Sequence, residues 1–348
     1  MKNGNDENMN FKMSIIGAGA WGTTLSSMIA QKSIKTTIWA YKKETADDIN
    51  KLRENREFLP GIAVATQVYA THDLREAAEG AKYIIVASPS HTLRNIIKKI
   101  IPFMEDGTSI ISVTKGIEEN TFATVSEIIS EELSEKFQEM DIRSKIAVVS
   151  GPNLAREIAA GLPSSTVVAS ASKKLRESMQ EILSSNRFRV YTSDDIVGVE
   201  LGGSLKNIMA IGAGICDGLK YGDNTKAAFL TRALREMIRI GDFKGARQDS
   251  FYGLSGIGDL FATSYSKYSR NRTLGEKIAV GNEPGVAEKL ITGIAEGVHT
   301  AKAAHLFGKK ENLDLPVINE IYKILYEKKD PSESVMALMS RTLKGEIE

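Results

Sequence analysis

The residues most able to do chemistry begin at Gly17-Ala18-Gly19-Ala20-Trp21-Gly22. A short apolar run precedes this G-x-G-x-x-G spacing, and a helix-type segment, residues 23–31, follows it. In that setting Gly17 permits a tight turn and Gly19 lets backbone approach a pyrophosphate. Gly22 lets the helix pack closely on the strand, and the helix N-terminus offers free N–H groups to phosphate oxygens. A glycine turn with no ligand is the bland alternative. The next strand-like run ends in Trp39-Ala40-Tyr41-Lys42-Lys43, with no carboxylate before Glu44. An NAD-binding chain places Asp or Glu there to hold the ribose 2′-hydroxyl. Aromatic and basic residues instead tolerate or favour a 2′-phosphate, so NADP(H) is the favoured cofactor and NAD(H) is accepted. Lys42 and Lys43 read equally well, singly, as solvated charges.

Further along, Thr114-Lys115-Gly116 and Ser88-Pro89-Ser90 both follow strand-like runs. Ligands of parallel sheets bind outside the carboxyl ends of the strands, which aims Lys115 at a ligand cleft. Gly202-Gly203-Ser204-Leu205-Lys206-Asn207 is expected to open a long helix, with its glycines admitting a ligand close to backbone. A lysine in so apolar a segment is paired, or lowered in pKa by burial, or snorkels to the surface. The residues alone leave all three open. The first two suit a proton donor to a carbonyl oxygen. Asp259 follows the glycine-rich run Gly253-Leu254-Ser255-Gly256-Ile257-Gly258, where helix capping is its bland reading. Ser269-Arg270-Asn271-Arg272 could grip a phosphate through fork-like donors or lie in a solvated loop. Gly212-Ala213-Gly214 has no strand before it, and we read it as close packing within a helix.

These residues need a scaffold. Apolar runs at 13–16, 36–39, 67–70, 83–87, 109–113, 146–149, 166–169 and 188–191 read as strands, most separated by helical segments. Such alternation predicts an α/β unit with a mainly parallel, Rossmann-type sheet. After about residue 195 the strand signal stops. Leu201, Leu205, Ile208, Gly212, Ile215 and Leu219 line one face of a helix. The predicted organisation is a loose tail over 1–11, a dinucleotide-binding unit over 12–195 and an all-helical substrate unit over 196–348. The uncharged stretch 13–30 is too rich in Gly, Ser and Thr for a membrane span or a secretory signal.

The 348 residues carry 45 Lys+Arg against 44 Asp+Glu, a formal charge of +1. That balance gives no electrostatic case for nucleic acid or an anionic membrane as partner. Four histidines and one cysteine, Cys216, form no metal-binding spacing. A single cysteine also suits a reducing compartment, so a cytoplasmic enzyme with no metal is expected. The expected partner is a small molecule, with a homodimer left open.

Taken in order, Gly17-x-Gly19-x-x-Gly22, Ser88-Pro89-Ser90, Thr114-Lys115-Gly116, Ser150-Gly151-Pro152, Gly202-Gly203-x-x-Lys206-Asn207, Gly256-x-Gly258-Asp259-Leu260, Ser269-Arg270-Asn271-Arg272 and Glu296-Gly297 resemble the NAD(P)-dependent glycerol-3-phosphate dehydrogenases, the bacterial soluble form most closely. The resemblance runs from about residue 12 to about residue 343. It implies interconversion of sn-glycerol 3-phosphate and dihydroxyacetone phosphate, mainly in the direction that supplies glycerol 3-phosphate for phospholipid synthesis. It also implies a catalytic role for Lys206, with Lys115 and Asp259 beside it. Implied substrate contacts are Lys115, Gly151, Asn153, Lys206, Asp259, Ser269, Arg270 and Asn271. Implied cofactor contacts, beyond the glycine turn and Lys42, are Ala20, Trp21, Tyr41, Lys115, Ala155, Arg270, Ile294 and Glu296. Asn153 stands where Ser or Thr is frequent, Leu154 where Phe is frequent, and Ile294 where Val is usual. The rival readings are a reductase of 3-hydroxy acids and a silent cofactor-binding sensor.

Overall fold

The computed structural model describes residues 11–137, 141–291, 293–343 and 345–346. Ten strands occur among them. They are β1 (Lys12–Ile16), β2 (Lys35–Trp39), β3 (Glu54–Asn55), β4 (Leu59–Ala63), β5 (Val68–Thr71), β6 (Ala81–Val86), β7 (Ser109–Ser112), β8 (Ile146–Ser150), β9 (Ser164–Ala169) and β10 (Phe188–Ser193). Eight of them form one sheet in the order β10-β9-β8-β7-β6-β1-β2-β5. All eight expected strands are members of that sheet. Its pairs are parallel except β8 with β9. Ile15, Ile84, Ile85, Ile110 and Ile111 are fully buried, as a sheet covered on both faces requires. The chain runs outward from β1 through β2 to β5, then returns to lay β6 on the other side of β1. This reversal is the switch point at which open parallel sheets hold ligands.

The hairpin of β3 and β4 was not anticipated. It is antiparallel and separate from the main sheet. A two-residue strand facing a segment that contains Pro60 and Gly61 has no alternating pattern to read. Phe11, expected in the loose tail, packs edge-on against Tyr83 at 5.4 Å, and residues 1–10 of that tail lie outside the described residues.

Two compact units divide the chain. One runs to Thr114 and resumes over Val125–Val199. The other takes Lys115–Thr124 and continues from Glu200. Among the described residues no strand follows Ser193, and helices build the second unit. Its central helix, Ile196–Gly218, is long and apolar enough to cross a membrane, yet its most apolar window is 89% buried inside the protein. It starts six residues before Gly202, so the glycine pair does not open it. A Cβ on Gly202 would lie 2.9 Å from the Ser255 carbonyl oxygen, so this glycine admits protein backbone. Gly214 has the packing role expected of it. A Cβ there would lie 1.9 Å from the Arg272 carbonyl oxygen, and one on Gly275 would lie 1.9 Å from that of Ile211. Glycine on both sides of the crossing brings the helices Ile196–Gly218 and Arg270–Ala279 into backbone contact.

Elsewhere in this unit Glu236 is buried and accepts the N–H groups of Val317 at 2.7 Å and Ile318 at 3.0 Å. It caps the Pro316–Tyr326 helix from a distant point in sequence, where the local N-cap Leu315 has no side chain to do so. Burial pushes the Glu236 carboxyl up to about 7, against the pull of the two N–H bonds.

Candidate active site

The first unit carries the glycine turn at the switch point. Gly17 follows β1 with φ +122°, and a Cβ there would lie 2.6 Å from the Ala87 carbonyl oxygen. Gly22 would bring its Cβ to 2.0 Å from the Gly17 carbonyl oxygen. Both positions therefore require glycine for internal packing. At Gly19 a Cβ would meet nothing within 4 Å, so its space opens outward. Gly19 is also the N-cap of the Ala20–Ala30 helix, whose first turn holds no acidic residue. The exposed N–H groups of such a turn favour an anion. Trp21 Nε1 and Ser88 Oγ are buried without a hydrogen-bond partner, which leaves polar atoms for a ligand to satisfy. An open cradle, a helix N-terminus and unsatisfied donors fit a dinucleotide.

Beyond β2, Tyr41 is 85% exposed and meets Trp39 edge-on at 6.2 Å. Lys42 lies 2.6 Å from Glu57, in the turn between β3 and β4. Lys42 is thus ion-paired to a carboxylate from another segment, a pairing invisible in local sequence. At the end of β8, Gly151 has φ +153°. Asn153 donates to Thr166 Oγ1 at 2.9 Å, while its Oδ1 is buried and unpartnered. Ala155 begins the Ala155–Ala159 helix, and its carbonyl accepts a long 3.4 Å bond from Thr24 of the Ala20–Ala30 helix.

The second unit brings together the charged residues. Asp259 and Lys206 are buried, and Lys115 is mostly so. Asp259 Oδ2 accepts from Lys115 Nζ at 2.7 Å, and its Oδ1 lies 3.1 Å from Lys206 Nζ. Lys206 also donates to Thr263 Oγ1 at 2.5 Å, and Thr263 donates to Asp259 Oδ1 at 3.1 Å. The snorkelling alternative for Lys206 is therefore excluded. Asp259 is the first residue of the Asp259–Tyr265 helix, but Gly258 holds the cap position and no side chain caps it. A π-helical turn, Leu254–Gly258, sets that helix start, and Gly256 fits there because a Cβ would lie 2.1 Å from the Phe251 carbonyl oxygen.

Burial lowers the Lys206 ammonium to about 8. Asp259 opposes the shift, and the positive charges of Lys115 and Arg270 add to it. A lysine so placed gives up its proton far more readily than one in water.

Ser269, Arg270 and Asn271 form a helix start rather than a loop. Ser269 caps Arg270–Ala279 by accepting from the Arg272 N–H at 3.2 Å. Arg270 is exposed, though the protein around its guanidinium still lowers its pKa, with Glu296 opposing. Asn271 is buried and braces three helices. Its Nδ2 donates to Asn207 Oδ1 at 2.9 Å, and its Oδ1 accepts the Gly297 N–H at 3.0 Å. Ile294 lies at the surface just before the Glu296–Lys310 helix. Thr263 and Asn207 were not among the expected site residues. Thr263 had a readable signal, since it stands four residues after Asp259 on the same helix face. Among the described residues no cluster of His, Cys, Asp and Glu could hold a metal ion.

A parallel sheet with this glycine turn at its switch point, joined to a helical unit with a buried Lys–Asp–Lys group, defines a nicotinamide-dependent oxidoreductase of the Rossmann type. Comparison with known proteins narrows the class. Residues 12–176 match the model of the NAD-dependent glycerol-3-phosphate dehydrogenase N-terminus, and residues 195–336 that of its C-terminus. The chain is 39% identical over 336 residues to glycerol-3-phosphate dehydrogenase [NAD(P)+] of Carboxydothermus hydrogenoformans, covering 97% of this chain and 98% of that one. It is 42% identical to the enzyme of the same name from Citrifermentans bemidjiense, covering 96% and 98%. The crystal structure of glycerol-3-phosphate dehydrogenase from Coxiella burnetii superposes with a TM-score of 0.90 at 34% identity, covering 96% of this chain and 100% of that one. The chain belongs to the NAD-dependent glycerol-3-phosphate dehydrogenase family.

Proposed function

We propose that the protein interconverts dihydroxyacetone phosphate and sn-glycerol 3-phosphate, using NADP(H) or NAD(H). The observation that carries this reading is the buried Lys206, held by Asp259 and Thr263, with its pKa lowered to about 8. The glycine turn at Gly17, Gly19, Ala20, Trp21 and Gly22 would hold the pyrophosphate, and Tyr41 with Lys42 would flank the adenosine end. When bound, the nicotinamide supplies the hydride for the carbonyl carbon of the ketone.

As the carbonyl carbon becomes tetrahedral, negative charge grows on its oxygen. Lys206 donates a proton to that oxygen, or a charge-assisted hydrogen bond. Asp259 orients the ammonium and keeps it charged at neutral pH. Lys115, on the other carboxylate oxygen, makes Lys206 more acidic and adds positive field. Arg270 supplies fork-like donors for the phosphate, assisted by N–H groups of its helix N-terminus. Ser269 and Asn271 shape that helix start, Ser269 by accepting from the Arg272 N–H and Asn271 by bridging Asn207 and Gly297. Gly151 and Asn153 complete the substrate contacts, with Asn153 Oδ1 as an open acceptor. Ala155, Ile294 and Glu296 complete those to the cofactor. A reductase of 3-hydroxy acids would have no use for the phosphate grip of Arg270, and a silent sensor no use for a buried, acidified lysine.

Cys216 is a buried free thiol, which suits a reducing compartment, and we place the reaction in the cytoplasm, where its product supplies phospholipid synthesis. Initial rates of NADPH and NADH oxidation with dihydroxyacetone phosphate test the reading. Substrate-dependent oxidation is expected, with turnover lost in Lys206→Ala and cofactor binding kept. Folded protein that binds NADPH yet oxidises none of it would overturn the assignment.

A further inference from the structure

Asn55 is completely buried, although it sits in a two-residue strand of a hairpin outside the main sheet. Its Nδ2 donates to the Ala18 carbonyl at 2.8 Å and to Thr23 Oγ1 at 2.8 Å. Its Oδ1 accepts the Phe58 N–H at 3.2 Å, which closes the hairpin around it. Both amide hydrogens therefore go to the glycine turn and the helix that follows. Ala18 lies between Gly17 and Gly19. Thr23 lies in the helix that Gly19 caps. One planar amide thus links the turn to the first part of the helix.

The peptide joining Ala18 and Gly19 is planar and trans, as no cis bond occurs among the described residues. Its carbonyl and its N–H consequently point in opposite directions. Holding the Ala18 carbonyl against Asn55 turns the Gly19 N–H away from Asn55. Glycine at 17 and 19 would otherwise leave this peptide the freest in the turn. We propose that Asn55 is a positioning residue for the cofactor: it locks the Ala18–Gly19 peptide so that the Gly19 N–H is presented to the cofactor pyrophosphate. The role rests on the dinucleotide reading of the turn. It also gives the β3–β4 hairpin a purpose, since the hairpin delivers one buried amide to a loop far away in sequence. An aspartate at 55 would set oxygen against the Ala18 carbonyl, so the amide is required rather than any polar group.

The experiment is a fluorescence titration of NADPH into wild type, Asn55→Ala and Thr23→Val, with steady-state kinetics beside it. Removing the bond that orients a phosphate-facing peptide, together with the Thr23 bond that anchors the amide, is expected to weaken NADPH binding roughly ten- to hundredfold. The cofactor KM should rise in parallel, while kcat at saturating NADPH and the KM for dihydroxyacetone phosphate stay within about threefold. Thr23→Val removes the bond that steers the Asn55 amide toward the Ala18 carbonyl and so loosens the lock without deleting it; an intermediate loss of at least about threefold is expected. A folded Asn55→Ala protein with unchanged NADPH affinity would overturn the proposal. So would a loss spread equally over kcat and both KM values, which marks general damage. If Asn55→Ala does not fold, Thr23→Val decides alone, and unchanged affinity there overturns it. Binding by the wild type without turnover would sink the proposed reaction and leave this assignment standing. Absence of binding by the wild type would end both.

Discussion

Asp259 and Lys115 should move the pH dependence of turnover in opposite directions. In the wild type the proton donor Lys206 is charged below about 8, so reduction of dihydroxyacetone phosphate holds at neutral pH and falls on the alkaline side. Asp259→Asn removes the negative charge 3.1 Å from the ammonium. At an effective dielectric near 20, Coulomb's law gives that pair about 5 kcal/mol. This is a ceiling, because water and side chains relax around the altered site. A quarter of it still moves a protonation midpoint by about one pH unit. The alkaline limb of kcat should therefore shift down by at least about one unit. Lys115→Met removes a positive neighbour and leaves Asp259 to Lys206 alone, so its limb should shift up. The assay is kcat against pH from 5.5 to 10 at saturating NADPH and substrate, with circular dichroism to show that each variant is folded. Limbs that stay fixed, or that move the same way in both variants, would refute the assignment of the limb to Lys206.

Other outcomes follow from groups outside this trio. Glu236 titrates near 7 when folded and near 4.5 as its ordinary value, so the folded state binds the extra proton between those limits. Its contribution to stability is full below the lower limit and is lost as pH rises through the upper one. The gap of about 2.5 units corresponds to about 3 kcal/mol. Whatever Glu236→Gln costs at pH 4.5, urea unfolding should show that cost falling by roughly this amount by pH 8, and a constant difference would contradict the buried carboxylate. Gly214→Ala forces a methyl into the Arg272 carbonyl and should destabilise by about 3 kcal/mol or more, read as a lowered melting temperature; a wild-type value would mean the helices do not cross there. Glu57→Gln frees Lys42, and the kcat/KM ratio of NADPH over NADH should rise by up to about fivefold, the range of an exposed ion pair. An unchanged ratio would separate Lys42 from the 2′-phosphate.

Much of this was legible in the sequence because periodic burial leaves a periodic trace. All eight strands of the main sheet announced themselves as apolar runs, and the glycine turn carried its own spacing. The start of the long helix was misplaced because Gly202 and Gly203 resemble a helix entry, whereas Gly202 makes room for Ser255 and Gly256. Lys206 could be singled out as a charge in an apolar helix, but local pattern does not pair it with Asp259 and Thr263, which lie more than fifty residues away; only the family resemblance set Asp259 beside it. Asn55 and Glu57 left no trace either. Their hairpin is too short and too irregular for any pattern, and their partners, Ala18, Thr23 and Lys42, are specified only by the folded chain.

The segment Lys115–Thr124 has a consequence for how the protein is made. It belongs to the second unit but is encoded ahead of most of the first unit's later strands and helices. Lys115 must wait for Asp259, 144 residues later, and Gly116 for Ser204, 88 residues later. Such long closures are slow steps in folding. On the ribosome, the first unit's β1, β2, β5 and β6 can pair while this segment has no partners. A gene split between residues 199 and 200 would leave the C-terminal fragment without Lys115 and its Asp259 with a single lysine. The ion-paired centre is thereby tied to synthesis past Thr263, and a product truncated before Asp259 cannot assemble it.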